Sequence, residues 1–146
     1  MNIHKMPLLS CLLALMLGAT CSATAAELVV IVSAKRPAVA LNPNQVSEIF
    51  LAQSERFPNG DNVTPLDLSI DSPLRDQFYT RVSAKTPALV RAYWTKMVFT
   101  GRGLPPREIA SSVAMRRLVA ANPTLIGYID SAALDDSVQV VLVVGK

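Results

Sequence analysis

Three times in this chain a helix-capping residue stands directly before a proline at the head of an apolar periodic stretch: Asn42-Pro43, Ser72-Pro73 and Thr86-Pro87. A cap side chain can accept from an amide that the first turn leaves unpaired. Proline has no N–H to lose at the first helical position, and its φ is already helical. Each pair therefore marks a helix start, and together they divide the chain. The expected helices run from about Pro43 to Leu51, from Pro73 to about Ala84, and from Pro87 to near Thr100-Gly101. A fourth is expected from about Arg107 to Ala121, where Asn122-Pro123 stops it.

The segments between them are strand-like. Leu28-Val29-Val30-Ile31-Val32 is a β-branched run of the kind buried on both faces. Asn59-Gly60-Asp61-Asn62 is turn chemistry, and a short strand from Val63 to Leu68 follows it. Leu125 to Ile129 and Val138 to Val144 read as two more strands. Gly127 inside a strand points to a bulge or to a close backbone approach. Strands alternating with helices predict an α/β fold, a mixed sheet of four to five strands flanked by helices.

The helical stripes name a core. Leu74, Phe78 and Val82 recur every fourth residue, with Gln77, Arg81 and Lys85 turned to water. Leu89, Val90, Tyr93, Trp94, Met97 and Val98 form a second stripe. On that spacing Trp94 and Met97 are core residues rather than a cofactor surface. Arg116 and Arg117 are read as a solvated face.

The first residues constrain the chemistry. Residues 1–25 resemble a secretory signal: His4 and Lys5, an apolar stretch from Leu8 to Leu17, then Ala23-Thr24-Ala25. Cleavage there leaves residues 26–146 as one exported domain in the periplasm, with no membrane span; an uncleaved anchor and a lipid on Cys21 are the alternatives. The only histidine and both cysteines (Cys11, Cys21) lie in this leader. The remainder has no imidazole and no thiol, which excludes a Ser-His-Asp triad, a cysteine nucleophile, a disulfide and any zinc site with His or Cys ligands. About 120 residues suffice for one apolar core without such staples.

Charge excludes more. Removing Lys5 from 14 basic residues leaves 13 against 11 acidic ones, a net of about +2. With no basic block or stripe, nucleic acid is not the partner. Asp67, Asp71 and Asp76 match no calcium loop. No Gly-rich phosphate loop occurs, so no cofactor is expected. Asp135-Asp136 reads as a turn, and Asp67 and Asp71 as residues flanking a helix start, rather than as acid–base pairs. An enzyme is not expected.

Several pieces in order carry a family resemblance: Ile49-Phe50-Leu51, Phe57-Pro58-Asn59-Gly60, Ser72-Pro73-Leu74 with Phe78, Tyr93-Trp94, Phe99-Thr100-Gly101 and Ile126-Gly127-Tyr128-Ile129. In this order the chain resembles the phosphate-type periplasmic substrate-binding proteins of ABC transporters. The resemblance implies one lobe of a two-lobed, type II periplasmic binding protein fold. It also implies a small oxyanion such as phosphate at the Ser72 helix start. Ser72 would give a hydroxyl, the N–H groups of Leu74 and Arg75 would donate, and Arg75 would add charge. Ser33 and Lys35 join this site if the first connection leaves the sheet on the same edge as Ser72. The family's Ser-Gly-Thr is reduced here to Ser72, and its arginine falls near Leu68. That loss leaves a second reading open: an interaction or sensor-accessory module that kept the lobe, facing an envelope protein or a second copy.

Overall fold

The structure, a computed structural model, describes residues 27–145. The expected leader lies outside them, as do His4, Cys11 and Cys21. Strand β1 (Leu28–Ser33) is buried at every residue. It sits between β4 (Leu125–Asp130) and β5 (Val138–Val144) and is antiparallel to both. β2 (Thr64–Leu68) runs parallel to β4, and β3 (Arg107–Ile109) runs parallel to β2. The result is the expected mixed sheet, with five strands in the order β3-β2-β4-β1-β5.

Helices cover both faces, because successive side chains on a strand point in opposite directions. On one face Tyr128 of β4 stacks on Phe78 at 3.9 Å between ring centroids, and Phe50 meets both rings edge-on. Phe50 comes from α1 (Pro43–Phe50) and Phe78 from α2 (Pro73–Ser83). On the other face α4 (Ser112–Ala121) lays Met115 and Val119 over Gly127. A Cβ on Gly127 would stand 2.5 Å from the Met115 sulfur, so the strand glycine marks a close approach. The register shift of the sheet lies elsewhere, between Val30 and Ile31 in the β1–β5 pair.

Three of the four described α-helices carry side-chain caps at their starts. Asn42 and Gln45 form a reciprocal capping box, Thr86 accepts from the Leu89 amide, and Ser111 accepts from that of Ala114. The expected helix from Arg107 is corrected at this point. Its first residues form β3, paired Leu66 to Arg107 and Leu68 to Ile109, and the helix begins only after Ser111. Pro105-Pro106 delivers extended backbone, and the open edge of β2 captures it.

The stripe of α3 (Pro87–Phe99) is also corrected. Val90 and Trp94 are buried and Tyr93 and Met97 half-buried, but Leu89 and Val98 are exposed. The helix lies beside α2 rather than over the sheet, so only a narrow face finds cover. No described helix is long and apolar enough to cross a membrane.

Candidate functional site

Asp67 is charged, yet it sits in β2 between two buried leucines and is 1% exposed. Burial of a carboxylate demands donors, and α2 supplies two of them. Arg75 Nε lies 3.1 Å from Asp67 Oδ2, and the Tyr79 hydroxyl donates to the same oxygen at 2.7 Å. From β4 the Tyr128 hydroxyl donates to Oδ1, and the Leu68 amide donates to that oxygen at 2.9 Å.

The network polarises its members. Burial pushes the Tyr79 hydroxyl well above the ordinary phenol value, and the Asp67 charge and hydrogen bond add to this. Tyr128 is raised for the same reasons in the same order. For Arg75 burial acts downward, but the Asp67 carboxylate and the two tyrosines more than offset it, so its value is raised. Arg75 therefore stays charged while nine-tenths buried.

Only one edge of its guanidinium is used. Nε bonds Asp67, whereas the two Nη groups have no hydrogen-bond partner among the described residues. Arg75 lines a groove of about 670 Å³ between the start of α2, the flank of α3 and β3. Ile70, Asp71, Asp76, Trp94 and Glu108 also line it. The groove lies past the carboxyl end of β2 and along the edge strand β3; α/β sheets commonly place ligands at strand carboxyl ends.

The expected site residues divide into two groups. Ser72 stands at the N-cap of α2 with extended backbone, but its side chain makes no capping bond. It is half-buried beside the groove, between the lining residues Asp71 and Arg75. Leu74 is half-buried with its side chain against the core, and its amide has no hydrogen-bond partner among the described residues. The Arg75 amide is not available as expected: it donates to the Ser72 carbonyl at 3.1 Å. Arg75 contributes through its side chain instead.

Ser33 and Lys35 do not join them. β1 is antiparallel to β4 and β4 parallel to β2, with Val32 and Pro65 both level with Ile126. Ser33 thus leaves the sheet where β2 begins, whereas Ser72 follows the end of β2. The strand between them is about 15 Å long at 3.3 Å per residue. Ser33 is fully buried and donates to the Ala120 carbonyl. Lys35 is exposed in a separate groove with Arg116, Arg117 and Asp135. Arg36 is buried over the Phe57 ring and paired with Asp61 and the Pro123 carbonyl. Arg116, expected on a solvated face, is paired with Asp135 at 3.1 Å.

Sequence reasoning missed the Asp67 network and the groove residues Glu108 and Arg91. The network carried no local signal: Leu66-Asp67-Leu68 alternates like a half-buried strand whose acid faces water.

The comparisons with known proteins agree with this architecture. No protein-family model matches the chain, and neither does any curated protein. Among solved structures, 80% of the chain superimposes on 44% of a protein described as a phosphate ABC transporter substrate-binding protein, with bound phosphate, from Clostridium perfringens (TM-score 0.64, 21% identity). The ABC-type phosphate transport receptor from Vibrio cholerae matches at TM-score 0.62 and 17% identity, with 80% and 45% covered. PstS from Borrelia burgdorferi matches at 0.56 and 11%, with 79% and 46% covered. The fold is that of one lobe of a phosphate-type substrate-binding protein. The chain spans less than half the length of these receptors.

Proposed function

We propose that this protein is an exported solute-binding module of the phosphate-receptor type, which takes a small oxyanion where α2 begins. The observation that carries the reading is Arg75: a cation nine-tenths buried, fixed by Asp67, lining a groove, with both Nη groups unpartnered among the described residues. A guanidinium held by one edge presents the other as a donor fork suited to oxyanions. The Leu74 amide and the Ser72 hydroxyl, which bond no described residue, would add two neutral donors from the same helix start. The helix end adds about 0.3–1 kcal/mol, whereas micromolar binding needs about 8 kcal/mol. The open groove is therefore expected to hold an oxyanion at millimolar rather than micromolar concentration.

Titration calorimetry and thermal shift with phosphate, sulfate and alkylphosphonates test this. Binding that disappears in Arg75→Gln but survives in Lys35→Gln is the expected result. Absence of any response at millimolar ligand removes the reading.

A second reading has its own observation. Val98 and Phe99, adjacent at the end of α3, are 49 and 92% exposed, an apolar pair that water does not favour. In that reading the lobe meets an envelope protein or a second copy through α3. Sedimentation of the protein and of Phe99→Ser decides it: self-association lost in the variant supports a second copy. For export, intact mass of the protein recovered from the periplasm should show loss of residues 1–25.

A further inference from the structure

The donors just described share their groove with negative charge. Asp71, Asp76 and Glu108 line it, and none forms an ion pair among the described residues. Arg75 is already balanced by Asp67, so Arg91 is the one unpaired cation in the lining. A bare divalent oxyanion on Arg75 would share the groove with three carboxylates, whose like charge opposes its binding. The remaining wall is apolar, formed by Trp94 with the exposed side chains of Ile70, Val98 and Phe99.

The buried Arg75 therefore donates to an anion, the exposed Asp71 and Glu108 with the half-buried Asp76 accept a cation, and the apolar lining covers hydrocarbon. We propose that the groove takes a zwitterion: an oxyanion group on the Arg75 Nη donors, an ammonium against Asp71, Asp76 and Glu108, and a short aliphatic body along Trp94 and Val98. This substrate class rests on the oxyanion reading of the same site, and it makes inorganic phosphate the poorer ligand. Arg75 is the independent observation beneath it, since a buried cation with unpartnered donors in the groove is not explained by the acidic residues.

The test is calorimetry of the protein with three probes: inorganic phosphate, propylphosphonate and aminopropylphosphonate. The amino compound is expected to bind about twofold to fivefold more tightly than the other two, the range that exposed ion pairs supply. In Asp71→Asn/Glu108→Gln, both exposed positions, that preference should shrink to what Asp76 alone supplies, while propylphosphonate binds better than before. Circular dichroism of the variant checks that its fold is kept. Equal or weaker binding of the amino compound overturns the zwitterion and leaves the oxyanion reading standing. Silence from all three probes overturns both.

Discussion

Asp67 is the residue on which most of the site depends, and its substitution has two separable consequences. Asp67→Asn keeps the shape but strands Arg75, a charge with 9% of its side chain exposed. Removing one partner of a buried pair costs about 3–5 kcal/mol, so urea unfolding should show that loss. The tyrosines add a pH dependence whose sign is fixed. Tyr79 and Tyr128 have folded values above the unfolded one, which is about 10. Their contribution is complete below pH ~10 and is lost as pH rises beyond it, because the unfolded chain releases protons that the folded chain retains. The protein holds three tyrosines, so Tyr93→Phe leaves only these two phenols. In that variant phenolate absorbance should rise in one cooperative step together with unfolding. A gradual rise in the folded protein would show that the network does not hold them.

At the scale of elements, α4 and β4 are fitted to each other through a missing side chain. Gly127→Ala would place a methyl group 2.5 Å from the Met115 sulfur and 2.9 Å from its Cγ, and Met115 is fully buried. The sulfur cannot swing into solvent, so the substitution is expected to cost about 1–3 kcal/mol as overpacking. Combined with Met115→Ala, the two losses should be markedly less than additive, because the smaller side chain makes room for the new methyl. Additive losses would mean that the close approach is not what constrains position 127. Helix α2 shows the complementary case: Ser72-Pro73 launches it, but the serine side chain does not cap it. Cap-then-proline spacing thus located all three helix starts, while the use each cap is put to depended on what stood nearby.

Across the whole molecule, the strand order sets where the fold is hardest to open. β1 is flanked on both sides and covered on both faces, whereas β3 is a three-residue edge strand with Arg107 and Glu108 exposed. Amide exchange should therefore be slowest at Val29–Ile31, approaching the global unfolding free energy, and fast at β3. Exchange at Glu108 as slow as at Val30 would contradict the sheet order.

The strands, the helix starts and the α/β class were legible in the chain because they depend on local rules: β-branched runs, side-chain periodicity, caps and prolines. β3 escaped because three residues carry no period, and only the free edge of β2 makes them a strand. The exposed edges of the α3 stripe, Leu89 and Val98, escaped because periodicity reports a stripe but not how wide a face lies opposite it. The site split in the same way. Arg75 could be read as a charge near a helix start, but its role depends on Asp67, Tyr79 and Tyr128 arriving from a strand, a helix and a second strand. Ser33 and Lys35 looked compatible with Ser72 until strand direction was known. An antiparallel β1 carries them to the far end of the sheet, and the direction of a strand is set by its partners across the sheet rather than by its own residues.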